Sequence, residues 1–206
     1  MTIDRAGLPF ASFAALATAA AVWWVGPWFA VAPGIATLFV VWFFRDPRRV
    51  IPSGDGLLVS PADGKVLVAS RDKISVFMNV FDVHVCRTPA AGRVTTVDHV
   101  AGRFLAAWRD DAGEHNERVT IVVNGADTEL RFVLIAGLIA RRIVCRVHVG
   151  QRLERGDRVG LIRFGSRVEV LLPPGCEPRV RRGDRVVAGE TVLAGVVPGS
   201  GRAEAR

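Results

Sequence analysis

Charge is missing from the first part of the chain. Between Ala6 and Phe44 lie 39 residues without an Asp, Glu, Lys, Arg or His, and the only charged residues before them are Asp4 and Arg5. Such a run excludes a purely soluble protein, and its confinement to the N-terminus excludes a polytopic transporter. Lysine is nearly absent: only Lys65 and Lys73 occur among 27 cationic residues. Cysteine is scarce as well. Cys86, Cys145 and Cys176 form no CxxC pair, which argues against a disulfide framework and for a reducing compartment, with the thiols acting as small buried hydrophobes. There is no P-loop, no GxGxxG after a strand and no HExxH, and the four His are too scattered for a metal cluster, so no metal is expected. The net charge of +7 comes with no nucleic-acid-binding module, which excludes nucleic acid as the expected partner. A basic chain beside an apolar anchor suits an anionic lipid surface instead.

What is present begins with that apolar run. As one helix it would be about 58 Å long, against a hydrocarbon core of about 30 Å. Gly26-Pro27 and Pro33-Gly34 interrupt it, leaving two apolar pieces, Leu8 to Val25 and Trp28 to Phe44. Trp23, Trp24 and Trp28 cluster at the break, where an interfacial aromatic belt sits. Arg5 precedes the first piece, and Arg45, Arg48 and Arg49 follow the second, so both outer ends read as cytoplasmic. The expectation is a membrane-associated helical hairpin with its linker over residues 1–49. A cleaved signal peptide ending at Ala30-Val31-Ala32 is the competing reading, opposed by the apolar run that continues through Phe44.

From residue 50 to 206 the character changes. Val and Ile alternate with Arg and other polar residues over short runs, such as Lys65–Val68, Arg118–Val123, Arg142–Val147 and Arg167–Leu171, separated by Gly, Pro and Asp. This period of two predicts a mostly β domain. Arg103 to Asn116 reads as a loop or short helix. The segments Gly150–Ile162 and Glu177–Leu193 share a strand, an Arg-Gly-Asp-Arg-Val turn and a second strand. Units of this kind build barrel-sandwich hybrids, but neither segment holds the Lys that a lipoyl or biotinyl carrier modifies. The fold expected is therefore a barrel-sandwich-hybrid-like β domain behind an N-terminal apolar helical hairpin.

Three segments carry candidate chemistry. Ser60-Pro61-Ala62-Asp63-Gly64 is a turn into a strand, Val80-Phe81-Asp82-Val83-His84-Val85 puts a His in an apolar strand, and Gly165-Ser166 separates two β-like runs. Each has an ordinary structural reading: an Asx turn, a core histidine, a β-bulge. Together they offer Ser, His and Asp, a set recognised by geometry rather than by spacing.

The order of these motifs is more specific than any one of them. Pro61-Ala62-Asp63-Gly64, then His84 in a His-Val-x-Arg-x-Pro run, then His115-Asn116-Glu117-Arg118, then Phe164-Gly165-Ser166-Arg167 resembles the phosphatidylserine decarboxylase family, above all its short membrane-anchored branch. Pro52–Gly56 and Gly137–Arg142 extend the resemblance, which runs from Arg45 to about Pro198. It implies a proenzyme that cuts itself between Gly165 and Ser166 into a β chain (1–165) and an α chain (166–206). Ser166 then becomes a pyruvoyl group, a cofactor made from the chain itself, which forms a Schiff base with the serine amine of the lipid. His84 is the implied general base and acid, and Asp63 orients it. Phe81 is a candidate to face the acyl chains or to join the core, and Arg87 and Arg167, the arginines nearest the motifs, are candidates to bind the phosphate. The implied reaction turns phosphatidylserine into phosphatidylethanolamine and CO2 at the cytoplasmic face of the cell membrane. Its partners are an anionic phospholipid, the membrane and the two chains of one precursor; the oligomeric state is open, with exposed β edges near the membrane making a homodimer a candidate. Two rival readings remain: a non-enzymatic membrane-anchored adaptor, and a serine hydrolase that keeps the Ser166 hydroxyl.

Overall fold

Two short strands, β1 (Thr2–Ile3) and β2 (Arg45–Asp46), pair antiparallel and bring together the two ends of the N-terminal unit. The computed structural model describes residues 2–103, 105–108, 112–125, 129–137, 142–163 and 166–196. The chain divides into two compact units, Met1–Arg48 and Arg49–Arg206.

The first unit is a helical hairpin. Helix α1 (Leu8–Trp24) buries none of its side chains. Gly26, at a φ of 113° that favours glycine, turns the chain into a short 3-10 segment (Pro27–Ala30), and α2 (Val31–Phe43) returns. The second break expected from the sequence does not form, because Pro33 lies in the first turn of α2, where a missing N–H costs no hydrogen bond. One polar clasp joins the helices: Thr18 Oγ1 lies 3.0 Å from Thr37 Oγ1, and each hydroxyl also bonds a carbonyl one turn back in its own helix. Trp23, Trp24 and Trp28 are all more than four-fifths exposed around the bend. Arg5–Trp24 is long and apolar enough to cross a membrane.

The second unit is built from strands. They are β3 (Leu57–Val59), β4 (Gly64–Ala69), β5 (Lys73–Met78), β6 (Val85–Arg87), β7 (Gly92–Val100), β8 (Arg118–Asn124), β9 (Glu129–Ile135), β10 (Ile143–Cys145), β11 (Arg152–Leu153), β12 (Arg158–Ile162), β13 (Ser166–Leu171), β14 (Cys176–Pro178), β15 (Arg185–Val186) and β16 (Val192–Val196). A single four-residue helix, α3 (Ala112–His115), lies in the segment expected to be loop or short helix. The main sheet has eight strands in the order β11-β7-β8-β9-β13-β5-β4-β15, and two three-stranded sheets, β10-β12-β6 and β14-β16-β3, accompany it. The mostly β unit behind an apolar hairpin agrees with the expectation from the sequence. Its core is the inward face of the alternating strands, with Ile74, Val76, Ile121, Phe132, Leu134, Val168 and Val170 buried.

The repeat seen in the sequence survives as a repeated turn. In Glu154–Asp157 and again in Arg181–Asp184, the Asp carboxylate accepts from the backbone N–H three residues earlier at 2.8 Å, and the Asp N–H returns to that residue's carbonyl. Gly156 and Gly183 supply the positive φ between them.

Candidate functional site

Ser166 is the first residue of β13, in the interior of the main sheet. That strand pairs with β5 on one side, where Ser166 faces Met78, and with β9 on the other, where Arg167 faces Ile135. The Ser166 side chain is fully buried, and its Oγ has no hydrogen-bond partner among the described residues. Gly165, the residue on the other side of the expected cut, lies outside the described residues.

His84 belongs to the same neighbourhood by register. β12 pairs with β6 so that Leu161 faces Val85, and the Ile162 N–H donates to the His84 carbonyl at 3.3 Å. Residues 162 and 166, on either side of the expected cut, are thus pinned to the segment 78–84, one at His84 and the other at Met78. The imidazole is fully buried, with Nδ1 2.9 Å from the Asp82 carbonyl oxygen. A carbonyl can only accept, so Nδ1 carries the proton and Nε2 is the basic nitrogen.

The sequence suggested an apolar strand through His84. The structure instead folds Asn79–Asp82 into a third copy of the Asp-closed turn. Asp82 Oδ2 accepts from the Asn79 N–H at 2.8 Å, and the Asp82 N–H donates to the Asn79 carbonyl. The other carboxylate oxygen, Oδ1, accepts from Arg185, which lies beyond the expected cut. Asp82 is itself buried and sits two residues before His84. Sequence reading missed it because this copy of the turn has no glycine to announce it.

Asp63 closes the Pro61-Ala62-Asp63-Gly64 turn. Its carboxylate accepts from Arg49 Nη2 at 2.8 and 2.9 Å and from the Ala188 N–H at 2.8 Å. The Arg87 N–H donates to the Pro61 carbonyl, joining this turn to β6 just after His84. Burial, and then the Asp63 charge, push the Cys86 thiol pKa upward. Asp63 therefore acts electrostatically on the strand that follows His84, while the Asp82 carbonyl contacts the ring itself. Burial likewise raises the Cys145 and Cys176 thiols, leaving all three cysteines poor nucleophiles.

The expected substrate contacts separate. Phe81 is two-thirds exposed at the tip of the Asn79–Asp82 turn. Trp108, also exposed, packs edge-on against Phe77 at 5.9 Å. The Arg87 guanidinium is buried and donates to the Gly156 carbonyl at 2.8 Å. The Arg167 guanidinium is buried and ion-paired with Glu169 at 3.2 Å.

The His115-Asn116-Glu117-Arg118 motif is a joint. Asn116 is fully buried, its side-chain amide donating to the Leu105 and Ala136 carbonyls and its oxygen accepting from the Leu105 N–H. Glu117 Oε1 accepts from the Ile143 N–H at 3.4 Å and lies 3.0 Å from His99 Nε2. No group of His, Cys, Asp and Glu able to hold a metal ion occurs among the described residues.

Comparison with known proteins converges on one family. A family model described as phosphatidylserine decarboxylase matches residues 36–194. The phosphatidylserine decarboxylase proenzyme of Syntrophus aciditrophicus is 48% identical over 204 residues, covering 93% of this chain and 96% of that protein. The proenzyme of the same name from Symbiobacterium thermophilum is 49% identical over 206 residues, covering 93% and 94%. A third, from Paramagnetospirillum magneticum, is 44% identical over 209 residues, covering 93% and 86%.

Proposed function

Because the chain belongs to the phosphatidylserine decarboxylase family, we propose that it is a self-cleaving proenzyme whose mature form converts phosphatidylserine into phosphatidylethanolamine and CO2 at the cytoplasmic face of a membrane. The observation that carries this reading is the Ser166 hydroxyl, buried and without a partner among the described residues, at the head of an interior strand. An unpaired buried polar group costs about 1–3 kcal/mol, and a catalytic role is one of the explanations for such a group in a native structure. A pyruvoyl group fits that position, since a ketone has no O–H donor to leave unsatisfied. Once formed, it supplies an electrophilic carbonyl that accepts the electron pair released as CO2 departs.

The chain's own residues account for the cut. Nε2 of His84 takes the Ser166 hydroxyl proton while Oγ bonds to the carbonyl carbon of residue 165. The peptide C–N bond breaks, that proton passes to the Ser166 nitrogen, and an ester remains. Loss of the Ser166 α-proton then expels the residue-165 carboxylate, and water releases the nitrogen as ammonia. The Asp82 carbonyl sets the imidazole tautomer for the first step. Asp63 anchors the adjoining turn and contributes its charge beside β6.

The sheet topology supports a mature enzyme of two chains. Among the described residues, the strands after the proposed cut pair with strands before it or with each other: β13 with β5 and β9, β15 with β4, β16 with β3 and β14. Cutting ahead of Ser166 therefore removes one peptide bond and leaves these ladders intact. The hairpin supports a lipid substrate, because α1 shows its apolar side chains outward and Arg5 and Arg45 lie at the end away from the exposed tryptophans.

Intact mass of the detergent-solubilised protein, beside a Ser166→Ala variant, tests the reading. The wild type is expected as two chains, the smaller comprising the 41 residues 166–206 and carrying a ketone in place of its amino terminus. The variant is expected as one chain. A folded, membrane-bound wild type that stays whole overturns the proposal. A whole chain whose Ser166 reacts with a phosphonate points to a hydrolase.

A further inference from the structure

Four aromatic side chains of the second unit fall among the described residues, and only Phe132 belongs to the core. The other three gather at the end of the main sheet that carries Ser166. Phe81 is 67% and Trp108 61% exposed, and Phe77 is half-buried. A single exposed apolar residue is ordinary, whereas a group of large ones marks an interaction surface.

Contacts and register join these residues into one surface. Directly opposed residues on paired strands share a face of the sheet. Arg185, Lys65 and Phe77 are successive partners across β15, β4 and β5, so they lie in one row. Trp108 packs edge-on against Phe77 in that row. Arg185 reaches on to Asp82 Oδ1, in the turn that has Phe81 at its tip. Met78, between Phe77 and the turn, is the residue that faces Ser166.

The rim is cationic. Lys65 and Arg185 are exposed, and Lys65 has no ion pair among the described residues. The turn leading into β15 adds exposed Arg181 and Arg182, and its carboxylate, Asp184, accepts the Arg181 N–H. An anionic bilayer matches both parts of this surface at once. Tryptophan rings settle at headgroup level, and basic side chains beside them are drawn to anionic lipid. Deepening the decarboxylase reading, we infer that Phe81 and Trp108, rimmed by Lys65 and Arg185, are the surface by which the β unit docks on the headgroup layer of an anionic bilayer.

The test uses the full chain in the uncut Ser166→Ala form, so its outcome does not depend on the decarboxylase reading. Trp23, Trp24, Trp28 and Trp42 are changed to Phe, which leaves Trp108 as the sole tryptophan. The protein is reconstituted in vesicles of phosphatidylcholine, with or without phosphatidylglycerol, containing lipid brominated near the headgroup. Trp108 emission is expected to be quenched, and more strongly with phosphatidylglycerol. A cation near an anionic surface is worth about fivefold in the docked population, so Lys65→Glu is expected to cost at least that factor. The control moves the sole tryptophan to exposed Val149, which precedes β11 at the opposite edge of the sheet, by Trp108→Phe with Val149→Trp. It is expected to stay unquenched. Quenching of Trp108 no greater than at position 149, or indifferent to both phosphatidylglycerol and Lys65→Glu, overturns the inference. Emission that follows protein concentration and not brominated lipid also overturns it, in favour of a second copy. Should the chain with four Trp→Phe changes fold poorly, bimane on Phe81→Cys in the otherwise native Ser166→Ala chain reads the same quenching, with the same outcomes decisive.

Activity of the cut enzyme separates docking from a subsite for acyl chains. Phe81→Ser and Lys65→Glu are expected to slow decarboxylation of phosphatidylserine in vesicles at least about fivefold. Turnover of dihexanoyl-phosphatidylserine below its micellar concentration is expected to change much less. Equal loss on both substrates overturns docking and assigns the aromatic residues to the substrate's own chains. A wild type that never cuts defeats the decarboxylase reading and leaves the quenching result standing.

Discussion

Replacing Asp82 separates geometry from charge at the proposed base. The Asp82 carboxylate closes the turn before His84 by accepting the Asn79 N–H at 2.8 Å, and among its other contacts it pairs with Arg185. Asp82→Ala removes both. Leaving the Asn79 N–H without its acceptor costs about 1–3 kcal/mol. Losing the pair adds little, about 0–1 kcal/mol, because the Arg185 side chain is 70% exposed and screened by water. If the turn sets the position of His84, most of that total appears as a barrier to the cut. A barrier of 1.4 kcal/mol is tenfold in rate, so about 10- to 100-fold slower self-cleavage is expected. Asp82→Asn keeps an acceptor oxygen for the turn and loses only the ionic part, so less than about fivefold slowing follows. Appearance of the 41-residue chain is followed by mass after synthesis of the precursor, with the Ser166→Ala background giving stability by denaturant titration. Wild-type cleavage by Asp82→Ala would refute the positioning role. Equal slowing in Asp82→Asn and Asp82→Ala would refute the argument from turn geometry and assign the effect to charge.

Two further outcomes follow from the same neighbourhood. Gly64 has a φ of +145°, and a Cβ there would stand 2.0 Å from the Phe77 carbonyl oxygen, so Gly64→Ala forces β4 and β5 apart. A loss of at least about 2–3 kcal/mol is expected, read by denaturant midpoint, with impaired cutting; an unshifted midpoint contradicts the packing. The cysteines are expected to resist iodoacetamide at pH 7–8, Cys86 most of all. Each thiol pKa is raised by burial, so the thiolate fraction at neutral pH falls below that of a free cysteine and grows only as pH climbs toward the raised value. Labelling of folded protein followed by mass checks this, and rapid modification of Cys86 would sink it.

Local signals were readable where one chemistry dominates. Gly26-Pro27 stops α1 where expected, because a positive φ followed by a ring without an N–H leaves the helix no continuation. Pro33-Gly34 looked equivalent and is not, since its place within α2 depends on where Pro27–Ala30 ends, and that is set by the turn rather than by the dipeptide. The alternating runs became β4, β8 and β13 nearly to the residue, whereas Arg142–Val147 shrank to Ile143–Cys145. The order of motifs identified the family, and register then grouped Ser166, Met78, Ile162 and His84, residues up to 88 positions apart in sequence. Asp82 stayed hidden for a different reason. An Asp in an apolar run has no local mark. Its contacts arise only when the turn before His84 closes.

The topology bears on the proposed cut ahead of Ser166, the first residue of β13. A new N-terminus normally frays, since end residues are held on few sides. β13 is interior: from its second residue on, it pairs with both β5 and β9, and Ser166 itself still faces Met78. A group created at Ser166 therefore inherits a fixed position from strands that belong entirely to the other chain. Arg185 adds a second tie, because it reaches from the small chain to Asp82, beside the proposed base in the large one. Cleavage in a loop would generate the same reactive end and leave it free to sample many orientations. On the proposed reading, cleavage at an interior strand keeps the end within the geometry that made the cut, so one set of contacts would serve both the self-processing and the turnover that follows.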